Sequence, residues 1–281
     1  MYKVGDLFVP DDTPTLSAEQ LHRAILSRLQ FEQMMGIETV RPVALAQIAP
    51  PAVSTGHASA PRRAEATAAV PIPKISASAA LPAAKLESSD SGDSAAQWAE
   101  LEARAMACVA CPLSTTRTNV VFGVGNRGAQ LVFVGEAPGE DEDKQGEPFV
   151  GRAGQLLNKI IAAMKWKRED VYICNTIKCR PPNNRPPLPD EIGACNPFLV
   201  KQLELIAPKV IVALGSPAAK TLLQTNQGIM SLRGRWSAYR GIPVMPTFHP
   251  AFLLRSYTEE NRRAVWEDMK KVADKLAEVS G

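Results

Sequence analysis

From Gln97 onward, short apolar runs suited to strands alternate with segments whose apolar residues recur at helical spacing. AQLVFVGEA (129–137), DVYICNTI (170–177), KVIVALG (209–215) and IPVMPTF (242–248) are the strands that this pattern predicts. Between and after them, AGQLLNKIIAAMKW (153–166), residues 190–207 with a bend at Pro197, SPAAKTLL from Ser216, and residues 258–279 are predicted helices. Ser216 is expected as the N-cap of its helix, with Pro217 at the first helical position. Strands that are apolar on both faces imply a parallel sheet covered by helices on both sides. The expected fold is α/β: a three-layer α/β/α sandwich around a short, mostly parallel four-stranded sheet, with a metal-cluster lobe built on four cysteines. Sites in such sheets lie beyond the carboxyl ends of the strands. That rule selects the loops 135–152, 175–189, 215–217 and 249–255.

The sequence before this region is different in kind. Residues 17–36 predict an amphipathic helix, with Ser17 and Gln20 as a capping box, Leu21, Ile25 and Leu29 on one face, and Gly36 as the stop. From about Arg41 to Ala96 the chain is rich in Ala, Pro and Ser, and no aromatic residue occurs between Phe31 and Trp98. Such a segment buries too little surface to offset its chain entropy, so a disordered linker is expected. The chain thus divides into a tail (1–40), a linker (41–96) and a folded domain (97–281). The helix at 17–36 either packs on the folded domain or docks a protein partner, and the linker behind it favours docking.

The charge is uneven. Residues 100–281 carry 24 Lys/Arg against 19 Asp/Glu, while the first 99 carry 8 against 10. A mildly basic folded part permits a polyanionic partner without requiring one. No apolar run reaches the roughly 18 residues of a membrane span, and the N-terminus lacks the basic flank and apolar core of a secretory signal. A cytoplasmic monomer is expected.

In a reducing compartment, five cysteines point away from disulfides and toward metal or redox chemistry. Cys108 and Cys111 form a C-x-x-C turn. Cys179 and Cys195 are separated by fifteen residues, including the proline-rich RPPNNRPPLP, which folds back instead of forming a helix early on. Four thiolates suit either structural zinc or an iron–sulfur cluster, and spacing does not choose between them. Cys174 lies inside an apolar strand and reads as a small core residue.

The loop after the first strand, GEAPGEDEDKQGEPFVGRAG, contains no Gly-Lys-Ser/Thr and is no phosphate-cradling P-loop. Gly123, Gly125 and Gly128 spell G-x-G-x-x-G but precede a strand instead of opening a helix, so a dinucleotide site fails on context. Phe149 stands in a polar, glycine-flanked stretch, where a ring has reason to appear if it stacks on something flat; otherwise it is a core residue. Arg152 lies near the start of the next helix, where phosphates are met. Asn175 ends the second strand. Its amide both donates and accepts and so matches a pyrimidine edge, although a turn-forming Asn is the plainer role. His249 follows the last strand in FHPAFLLR, where Pro250 fixes the turn. Phe252, Leu253 and Leu254 either stand half-exposed on a loop, an apolar tip suited to wedging into a base stack, or belong to a capped helix start with leucines facing the core. For Leu253 the two readings are equally open.

Taken together, GEAPG, PFVGRAG, the strand-end Asn175, the cysteine spacing with KCRPPNNRPPLP, LGSPAAKTLL and HPAFLLR resemble the family 4, iron–sulfur, uracil-DNA glycosylases. The match covers about Cys108 to Leu276. The resemblance implies a 4Fe-4S cluster on Cys108, Cys111, Cys179 and Cys195. It also implies hydrolysis of the N-glycosidic bond of deoxyuridine in single- or double-stranded DNA, the first step of base excision repair. Under it, Phe149 stacks on the flipped base, Asn175 reads its edge, and His249 stabilises the departing anion, with Ala137 and Gly139 lining the base site. Arg152, Ser216 and Arg255 hold the backbone, and Leu254 fills the vacated stack. Better-known relatives carry an Asp where this chain has Ala137, so Glu136 is expected to activate the water, with Glu142 and Asp143 as further candidates. A related branch crosslinks to DNA through a His between the last two cysteines; this chain has none there, so turnover without crosslinking is expected. A non-catalytic, polymerase-associated nucleic-acid-binding module and a small iron–sulfur redox protein are the alternative functions.

Overall fold

The structure, a computed structural model, describes residues 91–280. The predicted helix at 17–36 and the linker as far as residue 90 lie outside the described residues.

In chain order the helices are α1 (Ser91–Met106), α2 (Glu140–Gln145), α3 (Arg152–Ala163), α4 (Pro189–Ile206), α5 (Gly215–Leu223), α6 (Ile229–Leu232), α7 (Pro250–Arg255) and α8 (Glu259–Ser280). The strands are β1 (Val124–Gly125), β2 (Leu131–Gly135), β3 (Tyr172–Asn175), β4 (Val210–Leu214), β5 (Ser237–Tyr239) and β6 (Ile242–Thr247). They form one sheet in the order β1-β3-β2-β4-β6-β5. The four inner strands run parallel, and the two edge strands pair antiparallel to their neighbours.

The four expected strands are therefore the sheet's centre, and the sheet has six strands, not four. β1 is two residues long and β5 reads SAY, so neither carries the apolar run that marks a buried strand. Gly123 and Gly125 serve this edge. A Cβ on Gly125 would stand 2.0 Å from the Val171 carbonyl oxygen, and one on Gly123 would stand 2.4 Å from the Tyr172 hydroxyl. The apparent nucleotide fingerprint is thus a packing requirement.

Both sheet faces are buried, as the strand sequences demand. Leu131 and Phe133 of β2, with Val210 and Val212 of β4, face a core built from α3, Leu253 of α7, and α8. Val132, Val134, Ile211 and Ala213 face the opposite core, closed by α1, α4 and α5. Helix α1 starts at Ser91, six residues before the boundary expected at 97. Trp98, Leu101 and Ala105 fall on one buried helical face, and the Trp98 ring meets Phe122 at 6.0 Å and Tyr172 at 5.7 Å. Pro197 lies within α4. Helix α5 begins at Gly215 with Leu214 as N-cap, so Ser216 sits in its first turn and is not the cap. Among the described residues no helix is long and apolar enough to cross a membrane.

Candidate active site

Parallel register brings the carboxyl ends of the inner strands to one edge. Gly135 stands opposite Asn175, and Leu214 opposite Thr247. The chain order reverses around β2, which has β3 on one side and β4 on the other, as at ligand sites of open α/β sheets. At this edge a Cβ on Gly135 would lie 2.3 Å from Asn175 Oδ1 and 2.6 Å from Phe149 Cζ. Only glycine lets amide and ring approach the backbone so closely. Asn175 is 1% exposed, and its Oδ1 has no hydrogen-bond partner among the described residues. A buried acceptor left open costs about 1–3 kcal/mol unless something donates to it.

Phe149 is also buried and joins the core that includes α3, so the glycines around it allow the ring inward. Its backbone is left-handed, φ 55°, a conformation that side-chain-bearing residues rarely hold without surrounding support. Gly154 supplies part of that support, since a Cβ there would fall 1.8 Å from the Phe149 carbonyl oxygen.

The Phe149 ring lies 5.5 Å from the His249 ring, centroid to centroid. His249 caps α7, its Nδ1 accepting the Ala251 N–H at 3.1 Å, while Pro250 takes the first helical position. Burial, helped by the nearby Arg255 charge, pushes its pKa down to about 4. The imidazole is therefore neutral near pH 7, with its hydrogen on Nε2. The strand end behind it is fixed by Asp268 of α8, which accepts from Thr247 Oγ1 at 2.7 Å and Arg233 Nη2 at 2.8 Å.

The three candidate carboxylates separate cleanly. Glu142 accepts from the N–H groups of Gly139 at 3.1 Å, Val150 at 3.0 Å and Gly151 at 3.0 Å, buckling the loop 139–151. Asp143 is buried and accepts from Thr118 N–H at 2.9 Å. Both are committed to backbone N–H groups. Glu136 lies directly after β2. Its carbonyl accepts the Thr176 hydroxyl at 2.6 Å, and burial raises its carboxyl pKa.

Glu142 also occupies the Val150 and Gly151 N–H groups at the start of α3, so those groups do not receive a phosphate; Arg152 itself is exposed. The segment after His249 is a short helix, not a loop. Leu253 points into the core at 0% exposure, because it falls on the inner face of α7. Leu254 is 41% exposed beside the exposed Arg255, and Phe252 packs on Phe248 at 4.8 Å. Ser216 is half-buried at the start of α5, while Gly139 is the N-cap of α2.

Cys108, Cys111, Cys179 and Cys195 line a single cavity, together with Arg117, Lys178 and Phe198. Cys179 and Cys195 are buried, and the other two are half-buried. Arg117 Nη1 donates to Cys179 Sγ at 3.2 Å, and the Lys178 N–H donates to Cys195 Sγ at 3.2 Å. Burial pushes the Cys195 thiol up to about 11. Among the described residues no three His, Cys, Asp or Glu side chains converge tightly enough to hold one metal ion. Ala137, expected beside the base, packs against this lobe with Leu113 and Ile177. Cys174 is a fully buried strand residue, as expected.

Sequence reasoning missed Gly135, Lys178 and Gln202. Lys178 and Gln202 are buried polar residues in otherwise apolar company. A lysine inside YICNTIKC was the available signal, since alternation in that run leaves it little access to water.

The uracil DNA glycosylase superfamily model matches residues 122–270. A type-4 uracil-DNA glycosylase of Thermotoga maritima is 52% identical over 172 residues, which span 60% of this chain and 88% of that protein. The type-4 enzyme of Archaeoglobus fulgidus is 46% identical over 179 residues, again 60% and 88% of the two chains. That of Sulfurisphaera tokodaii is 42% identical over 184 residues, 62% and 83%. With Asn175, Phe149 and His249 at the strand ends and four cysteines on one cavity, these matches place the chain in the type-4 uracil-DNA glycosylases.

Proposed function

We propose that uracil flipped out of DNA is read by Asn175, walled by Phe149 and released with the help of His249, and that Glu136 activates the attacking water. Uracil-DNA glycosylase activity, the opening step of base excision repair, follows from the family. The observation that carries the residue-level reading is the buried, open Oδ1 of Asn175 against Gly135. Uracil N3–H is the donor that such an acceptor lacks, whereas cytosine presents an acceptor at that ring position.

As the bond from C1′ to N1 breaks, its electron pair stays on the base, and charge spreads to the ring oxygens. A neutral His249 donating from Nε2 stabilises that charge without first burying a cation of its own. The sugar becomes oxocarbenium-like. Glu136 takes a proton from water while the oxygen bonds to C1′, leaving an abasic site. Arg152, Ser216 and Arg255 hold the backbone, and the exposed Leu254 fills the gap in the stack.

Four thiols around one cavity, two of them receiving N–H donors, fit a 4Fe-4S cluster. Cys108, Cys111, Cys179 and Cys195 would hold it, and it would tie together the chain around the base site. Anaerobically purified protein should be brown and contain iron; a colourless, zinc-containing sample overturns this part.

The activity test is strand scission of a uracil-containing oligonucleotide after alkali, in single- and double-stranded form. Asn175→Ala should lower turnover by about 10²-fold while DNA binding persists. Equal turnover by that variant would contradict the base-reading role.

A further inference from the structure

Lys178 is 2% exposed, yet no carboxylate reaches it among the described residues. Its ammonium donates to the Asn175 carbonyl oxygen at 2.8 Å and to Gln202 Oε1 at 2.6 Å, both neutral acceptors. Gln202 is fixed in turn, its amide donating to the Phe122 carbonyl oxygen at 2.9 Å and the Tyr172 hydroxyl at 3.1 Å. A cation withdrawn from water is stable only if an anion or a full set of acceptors answers it. Lys178 lines the cavity shared by the four cysteines, whose thiolates are the prospective anions.

We propose that Lys178 is a positioning residue that couples the cysteine site to the base-reading site. Negative charge on the occupied cysteine site holds the ammonium in the interior, and the ammonium holds the end of β3, from which the Asn175 side chain projects. Two hydrogen bonds of one residue make the connection: backbone N–H to Cys195 Sγ, and ammonium to the Asn175 carbonyl. The inference rests on the iron–sulfur reading of the cysteines and assigns a task to a residue outside both the ligand set and the reacting centre.

The test uses full-length, cluster-loaded protein and two variants, read by the cluster's midpoint potential in film voltammetry and by inhibition with free uracil. Removing a nearby cation disfavours the more negative, reduced cluster, so Lys178→Met should lower the potential. It should also weaken uracil inhibition about tenfold, through loss of the charged hydrogen bond to Asn175. Gln202→Glu separates the two halves: a new carboxylate neutralises the ammonium and lowers the potential. The amide's donations to Phe122 and Tyr172 are given up, but the ammonium's bond to the Asn175 carbonyl remains, so uracil inhibition should stay within about twofold of wild type. If Lys178→Met does not fold, Gln202→Glu alone decides through its potential. A wild-type potential in these loaded variants overturns the proposal. Wild-type protein that carries no iron overturns the iron–sulfur reading itself, and the coupling with it.

Discussion

His249 keeps Nδ1 committed to the Ala251 N–H, and its surroundings hold the ring neutral down to about pH 4. Glu136 is displaced the other way, burial raising it above the ordinary carboxylate value of 4.5. In the proposed mechanism its carboxylate must be ionised to accept a proton from water, so acid should abolish turnover first through Glu136. The rate should fall below an inflection above pH 4.5, with no separate step at the usual histidine value of 6.5. A pH–rate profile of single-turnover kinetics checks this, and a step near 6.5 would contradict a neutral His249. Histidine linkage has the same sign for stability. The unfolded ring binds its proton near 6.5 and the folded ring only near 4, so His249's contribution is full above 6.5 and is lost as pH falls toward 4. Glu136→Gln should cost about 10²-fold in turnover. Glu142→Gln keeps an acceptor for Val150 and Gly151 but not the one that meets Gly139, so its turnover should fall by less than that of Glu136→Gln.

The element around which the site is organised is the loop between β2 and α3. Glu142 closes it by satisfying three backbone donors. Glu142→Ala leaves those donors without that acceptor and should lower stability by about 2 kcal/mol, measured by urea denaturation. Unchanged stability would mean that water replaces the carboxylate without loss. This loop also marks the boundary of what the sequence disclosed. The inner strands and the long helices announced themselves by period, and Asn175 and His249 by standing at strand ends. Glu142 and Asp143 stayed open as further candidates beside Glu136, because nothing in GEDED says which carboxylate turns back onto its own backbone. Leu253 and Leu254 were likewise alike in sequence, and only the facing of α7 separates them. The edge strands were illegible for a plainer reason: β1 and β5 are too short to display a period.

Across the whole molecule, the proposed DNA path runs along the sheet edge that carries Asn175 and His249, past the exposed Arg152 and Arg255. Binding to a uracil-free single strand should weaken with added salt, and Arg255→Ala and Arg152→Ala should each reduce the slope of log K against log salt by about 0.7. An unaltered slope would place those side chains off the nucleic-acid path. The two cores on either side of the sheet make this edge rigid, since α3, α7 and α8 brace one face while α1, α4 and α5 brace the other.

Phe149 and Gly154 cannot drift independently. One bears a side chain in a backbone state that suits glycine, and the other is a glycine because its neighbour's carbonyl fills the room a methyl group would take. A mutation to alanine at 154 would force that peptide to rotate and swing the ring off its seat, so descendants of this chain should keep both residues or exchange both together.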